Sequence, residues 1–167
     1  MIRQAALQDI DRIMVIVAQA QRRLADAGVY QWQDGYPSPD VFKNDIENGN
    51  CYVAEIDGIV MGFSVMIFDI EPTYALIEGG EWLSSGQDYC VIHRMAVDDS
   101  QLRAGLGRAF FEYTEQLCRE RGIGVIRIDT HKDNIPMQSL IANMNYTYCG
   151  IITLLSGALR NAYEKIL

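Results

Sequence analysis

The sequence predicts a mixed α/β fold: a single domain over residues 1–167, with a central sheet of about six to seven strands flanked by about four helices. Segments with apolar residues at helical spacing alternate with Val- and Ile-rich runs of strand length. Glycine, proline and Asp-Gly punctuation falls between those segments. A chain of 167 residues, 49% hydrophobic and 22% charged, is long enough to bury one sizeable core.

Each element has its own signal. "IRQAA" opens as a strand. Over residues 9–27, Ile10, Ile13, Met14, Val17 and Leu24 recur at helical spacing, and Gly28 is a natural stop. "QWQDGYPSP" is a loop by its glycine and proline content, followed by a short helix over residues 40–48. "CYVAEID" and "IVMGFSVMIFDI" form a hairpin about Asp57-Gly58, a pair suited to a tight turn. Residues 71–88 are a Gly/Ser-containing excursion. "YCVIHRMAV" is a strand that runs directly into "DDSQLRAGLGRAFFEYTEQ". The helix there carries Leu106, Phe110, Tyr113 and Leu117 on one face and Glu112, Glu115 and Arg119 on another, and it ends near Gly122. "VIRIDT" is a further strand. "NIPMQSLIANM" is a short helix with Pro136 in its first turn, and "YTYCGIITL" and "AYEKIL" are two closing strands. The order is β-α-α-β-β-β-α-β-α-β-β.

Composition excludes several classes of function. A formal net charge of −8 argues against a general nucleic-acid binder. No run approaches the ~18 apolar residues of a membrane span. Asp9, Asp11 and Arg12 interrupt the N-terminal apolar positions, which read as an amphipathic helix after a short strand and not as a signal peptide. A soluble, cytoplasmic protein with neither nucleic-acid nor membrane partners is expected. Cys51, Cys90, Cys118 and Cys149 are far apart and form no Cys-x-x-Cys pair, and His93 and His131 make no ligand-spaced cluster. Reduced, buried thiols and no metal site are therefore expected. Between Lys43 and Arg94 there is no Lys or Arg, while nine acidic residues from Asp45 to Asp88 fall in that stretch. This is either a solvated acidic face or a surface that attracts cationic substrates such as amines.

Gly105 and Gly107 open the helix after "YCVIHRMAV", although glycine costs a helix roughly 1 kcal/mol relative to alanine. In a strand–loop–Gly-x-Gly–helix setting they fit a cradle of backbone N–H groups for phosphate. A dinucleotide fingerprint would want glycine where Phe110 stands, and a Walker loop would want Lys-Ser/Thr in place of Arg108-Ala109, so both nucleotide folds are disfavoured. "RMAVDDSQLRAGLGRAF" followed by "IRIDTHKDNIPMQSLIANMNYTYCGII" resembles the core of the GNAT superfamily of N-acetyltransferases. That core has a strand ending in an apolar-Ala-Val triplet, a pyrophosphate loop of the form Arg/Gln-x-x-Gly-x-Gly/Ala, and an Asn-led helix running into a Gly-Phe-like pair. The match covers about residues 89–152. The chain departs from the pattern at Leu102, where the family has Arg or Gln, and at Asn145-Tyr146, where it has Gly-Phe.

The resemblance implies an acetyl-CoA-dependent N-acetyltransferase. It would move an acetyl group to a primary amine of a small molecule or peptide by direct attack in a ternary complex. The implied pyrophosphate contacts are Arg103, Ala104, Gly105, Leu106, Gly107 and Arg108. The pantetheine arm would run along Met95, Ala96 and Val97 and meet Asn134. A freed N–H of Met95 or a neighbour would hold the acetyl carbonyl and stabilise its oxyanion. An alkyl ammonium of pKa ≈ 10.4 held at pH 7 must lose a proton, which costs about 4.6 kcal/mol. Asp129, at the end of "VIRIDT", is the favoured base, with a structural hydrogen-bonding role as its alternative; His93 and His131 are weaker candidates. The family's usual acid, a tyrosine in the Asn-led helix, is replaced by Ile141. Tyr146 and Tyr148 are the substitutes, with core or edge packing as the alternative. For the substrate, Trp32 and Tyr36 could form an aromatic wall with Asp34 as counter-charge, unless Trp32 plugs the core. A non-catalytic acyl-CoA-binding module is the alternative function, and the closing strands could form the edge of a homodimer.

Overall fold

The structure, a computed structural model, describes residues 1–167. Strand β1 (Ile2–Gln4) is followed by helices α1 (Ile10–Asp26) and α2 (Pro39–Glu47) and by strands β2 (Cys51–Ile56), β3 (Ile59–Ile67) and β4 (Cys90–Val97). Helix α3 (Leu106–Glu120), strand β5 (Val125–Thr130), helix α4 (Ile135–Asn143) and strands β6 (Thr147–Thr153) and β7 (Leu159–Ile166) complete it. The seven strands form one mixed sheet in the order β1-β2-β3-β4-β5-β7-β6. The expected element order and the expected α/β architecture are both present. The chain divides into two compact units, Met1–Met66 with Arg94–Phe110 and Ile67–His93 with Phe111–Leu167, and β4 and α3 supply residues to both.

In the first unit α1 buries Ile13, Ile16, Val17 and Ala20. The Ser38 hydroxyl caps α2 by accepting from the Val41 N–H at 3.4 Å, with Pro39 in the first turn where its missing N–H leaves no gap in the ladder. The β2–β3 hairpin turns on Asp57 (φ 50°) and Gly58 (φ 78°), the paired positive φ of a two-residue turn whose twist matches the strands. Gly62 lies on β3 beneath the start of α3. A Cβ there would come within 3.0 Å of the Phe110 ring and 3.2 Å of both the Ala96 carbonyl and Leu106. The bare backbone at Gly62 is what lets the first turn of α3 lie so close to β3 and β4.

In the second unit β4 and β5 pair in parallel over Cys90–Ile92 and Ile126–Ile128. Strand β7 pairs antiparallel with β5 from Val125↔Ile166 to Thr130↔Asn161 and with β6 on its other side. It begins at Leu159 and not at Ala162, because the Leu154 N–H···O=C Ala158 bond (2.8 Å) closes a tight hairpin that brings residues 159–161 into the ladder. The excursion carries a 3-10 turn at Pro72–Tyr74 and a two-way backbone bridge between Glu78 and Ile151 of β6 (2.9 and 2.8 Å). Next to that bridge, a Cβ on Gly80 would stand 2.0 Å from the Cys149 carbonyl oxygen.

Helix α3 is rotated from the expected face. Phe110, Phe111, Thr114, Glu115 and Cys118 are buried, because the adjacent phenylalanines set the stripe and their i+3 and i+4 neighbours follow it inward. Glu115, expected on the other face with Glu112 and Arg119, is carried in and paired with Lys165 at 2.5 Å and Arg119 at 3.3 Å. All four cysteines are free and buried, no group of three or more His, Cys, Asp or Glu is arranged to hold a metal ion, and no helix is long and apolar enough to cross a membrane.

Candidate active site

In the first unit, the loop between β4 and α3 hangs on Asp98. Its carboxylate accepts from the Ser100 hydroxyl (2.7 Å) and Ser100 N–H (2.9 Å), from Gln19 (3.0 Å) and from the Arg12 guanidinium (2.6 Å). These bonds hold Asp98 well below the usual carboxylate range. A 3-10 turn over Asp99–Gln101 follows, and then two left-handed bends at Arg103 (φ 63°) and Gly105 (φ 87°). The α3 ladder begins with Ala109 N–H donating to the Gly105 carbonyl at 3.0 Å, so the Leu106 and Gly107 amides lie ahead of it at the positive end of the helix. Gly105 is glycine because the backbone turns left-handed there, where a side chain would be strained. No acidic residue lies between Leu102 and Phe110, and Arg103 and Arg108 are exposed. This stretch suits a diphosphate.

Upstream on β4, Met95 and Ala96 are buried and Val97 is half-buried. Arg94 is buried and paired with buried Asp45 at 2.6 Å, donates to the Tyr36 hydroxyl, and lies 5.7 Å from the Tyr36 ring centroid. Tyr36 is thus tied to the Arg94–Asp45 pair. Trp32 is half-buried in a left-handed conformation (φ 59°), and Asp34 is exposed.

In the second unit, the strand positions just past the last β4–β5 pair are His93 and Asp129. Asp129 Oδ2 accepts a 2.6 Å hydrogen bond from the hydroxyl of Tyr74, which is fully buried at the end of the Pro72–Tyr74 turn. Burial pushes the Asp129 carboxyl above its ordinary value, against the opposing pull of the Tyr74 bond and of the nearby His93 and Arg160 charges. His93 Nε2 lies 3.4 Å from Glu71 Oε2. That contact, with the Thr73 hydroxyl and N–H bonds, lowers Glu71 to about 2. Asp129 is therefore a half-buried carboxylate with a raised proton affinity, a property that suits a general base.

The other predicted residues divide by environment. Tyr146 packs edge-on against Phe111 (centroids 5.4 Å apart), and its enclosed hydroxyl has no hydrogen-bond partner. Tyr148 is 49% exposed and packs edge-on against Tyr163 at 5.6 Å. Ile141 is completely buried, so the α4 face that carries a tyrosine in the family here closes the core. Asn134 caps α4, its Oδ1 accepting from the Met137 N–H at 3.3 Å. His131 sits in the turn before it, its Nδ1 accepting from the Asp133 N–H at 3.1 Å, and burial lowers its pKa.

Tyr74 and the His93–Glu71 contact escaped the sequence reading, which had Glu71 only as part of an acidic stretch that could flank the substrate entrance. The available signal was the large aromatic content of the excursion (Tyr74, Trp82, Tyr89), which marks a packed segment and not a loose one.

Residues 14–146 match the model of the Acetyltransferase (GNAT) family, and the chain belongs to that family. It is similar over its whole length to a GNAT-family acetyltransferase of Streptococcus agalactiae (33% identity, 95% of that chain, TM-score 0.90). It is also similar to an acetyltransferase of Staphylococcus aureus (26% identity, 99% of this chain and 98% of that one, TM-score 0.76). The fold is shared with the PaiA N-acetyltransferase of Thermoplasma acidophilum in complex with coenzyme A (16% identity, 100% of this chain and 98% of that one, TM-score 0.73). No curated protein matches the chain.

Proposed function

We propose that the protein transfers an acetyl group from acetyl-CoA to a primary amine of a small molecule or peptide, by direct attack in a ternary complex, with Asp129 as general base. The observation that carries this reading is Asp129 itself, a carboxylate at the end of β5 whose proton affinity is raised by burial and whose Oδ2 is oriented by the Tyr74 hydroxyl. Family membership and the coenzyme A held by the Thermoplasma relative support acetyl-CoA as co-substrate. When bound, acetyl-CoA supplies an activated thioester carbonyl. The loop from Arg103 through Ala104, Gly105, Leu106 and Gly107 to Arg108 binds its diphosphate through backbone amides, assisted by the Arg103 and Arg108 charges. Met95, Ala96 and Val97 align the pantetheine arm, with Asn134 contacting it, and the Met95 amide orients the acetyl oxygen and stabilises the charge that develops there.

Asp129 takes the ammonium proton, a step that at pH 7 costs about 4.6 kcal/mol without assistance. Between the two tyrosines, the exposure of Tyr148 supports it as donor to the departing thiolate, whereas Tyr146 is enclosed. Trp32, Asp34 and Tyr36 contribute to acceptor binding. The test is thiol release from acetyl-CoA with a panel of acceptors: spermidine, glucosamine, free amino acids and short peptides. Asp129→Asn is expected to lower kcat by ~10²–10⁴-fold while leaving coenzyme A binding unchanged. Turnover unaltered across pH in that variant removes Asp129 from the role, and no amine-dependent thiol release overturns the reading.

A further inference from the structure

We propose that Tyr74 is a positioning residue for the acetyl transfer, held on Asp129 by a clamp in which the Arg127 side chain lies between the rings of Trp82 and Tyr89. This rests on Asp129 being the base. Arg127 and Asp129 are two residues apart on β5, so their side chains leave the same face of the sheet. The excursion is fastened to that face at both positions. At Asp129 the fastening is the Tyr74 hydroxyl bond of 2.6 Å. At Arg127 the guanidinium carbon lies 4.1 Å from the Trp82 ring centroid and 4.2 Å from that of Tyr89. Trp82 joins the two fastenings, because its indole N–H donates to the Tyr74 carbonyl at 2.9 Å and its ring lies 5.2 Å from the Tyr74 ring.

The base of the clamp is a buried ion pair. Arg127 Nε is 3.4 Å from Glu164 Oε2, and Glu164 is fully buried directly across the β5–β7 ladder. Glu164 also accepts from the Ser84 N–H at 3.1 Å and from its hydroxyl, while Arg127 donates to the Ser84 carbonyl at 3.3 Å. Tyr89 in turn accepts the Glu71 N–H at 2.9 Å. A buried ion pair is a poor way to add stability, since apolar residues of equal volume pack as well without the desolvation cost. An apolar pair, however, could not bind the Ser84 backbone and stack two rings at once. The clamp fixes where the excursion lies on β5, and with it the Tyr74 hydroxyl on Asp129 Oδ2.

The groups facing Asp129 are Tyr74 and Glu71 from the excursion, His93 from β4 and Arg160 from β7. Among them Tyr74 donates a hydrogen bond of 2.6 Å to the carboxylate. That bond favours the ionised form and opposes burial, so loosening it moves Asp129 toward the protonated acid and removes base at neutral pH.

The test is a ¹³C NMR titration of the aspartate carboxyls in the full chain, with the Asp129 resonance identified by its loss in Asp129→Asn. It is combined with the pH profile of kcat/KM for the best acceptor in the panel. Tyr74→Phe keeps the buried ring and is expected to raise the Asp129 midpoint and the acid limb by about one to two pH units, with the alkaline plateau retained. Trp82→Phe keeps a ring on Arg127 but loses the bond to the Tyr74 carbonyl, and it is expected to shift both in the same direction by less. A merely structural role would lower the rate at every pH and leave the limb in place. A midpoint and limb unmoved in both folded variants overturn the clamp even where Asp129→Asn abolishes turnover, whereas unaffected turnover in Asp129→Asn overturns the base assignment instead. Should Tyr74→Phe fail to fold, Trp82→Phe decides by the same two measurements.

Discussion

At Asp129 the proposed role as base and the stability of the fold make opposing demands. Its carboxyl is raised in the folded chain, so between the unfolded value near 3.9 and the folded value the native state holds more proton than the unfolded state. Stability therefore falls as pH rises through that window. Asp129→Asn keeps an acceptor for the Tyr74 hydroxyl and removes the buried charge. It is expected to melt a few degrees higher than the wild type at pH 7, with the gap closing toward pH 4, while losing activity. Thermal melts over that range check the sign. Tyr146 gives a second prediction: its hydroxyl is enclosed without a partner, a condition that costs about 1–3 kcal/mol. Tyr146→Phe is expected to raise Tm by several degrees and leave turnover unchanged, and a loss of turnover in a folded variant would give Tyr146 a place in the chemistry.

Among the elements, the turn leading into α3 is held by two adjacent acidic side chains, Asp98 and Asp99, the second paired with Arg23. Asp98 accepts four hydrogen bonds, from Ser100, Gln19 and Arg12, and these set where the loop begins to bend. Asp98→Ala is expected to cost at least the ~1.5–3 kcal/mol of a charge-assisted bond, a fall in Tm of roughly 3–12 °C, and to weaken the response to acetyl-CoA. The Asp98 carboxyl is depressed in the fold, so its stabilisation is complete above the unfolded value of about 3.9 and is lost as pH falls through the folded value. The melting difference between wild type and variant should therefore shrink below pH 4. Most elements were legible before the structure because their signals are local: the helical spacing of α1, Asp57-Gly58 at the hairpin, Pro136 in the first turn of α4. The face of α3 was not, because Glu115 reads as a surface charge until Lys165, distant in sequence, supplies its buried partner.

For the molecule as a whole, the acidic run between Lys43 and Arg94 places Asp69 just before the excursion, and Glu78, Glu81 and Asp88 within it, on the exposed surface. The net charge of −8 leaves the loop between β4 and α3 its own local field, since screening acts over about 8 Å at physiological ionic strength. Acetyl-CoA at 100 times its dissociation constant should stabilise the native state by about 2.7 kcal/mol, a rise in Tm of roughly 5–11 °C, while ATP and NAD should produce none. A thermal-shift comparison of the three ligands measures this directly, and equal shifts with ATP would return the loop to a nucleotide role.

The sequence by itself determined the element order, the α/β class, the family and the glycine loop, because periodicity, turn chemistry and a contiguous motif are all written within a few residues of one another. It also singled out Asp129, by its place at the end of a strand. The partners of Asp129 were decided only by tertiary structure. Tyr74 stands 55 residues away in a segment with no regular pattern, and Trp82, Ser84, Arg127 and Glu164 meet only once β5, β7 and the excursion are packed together. Proton affinity depends on burial and on neighbours brought in from distant parts of the chain, and no local pattern encodes either.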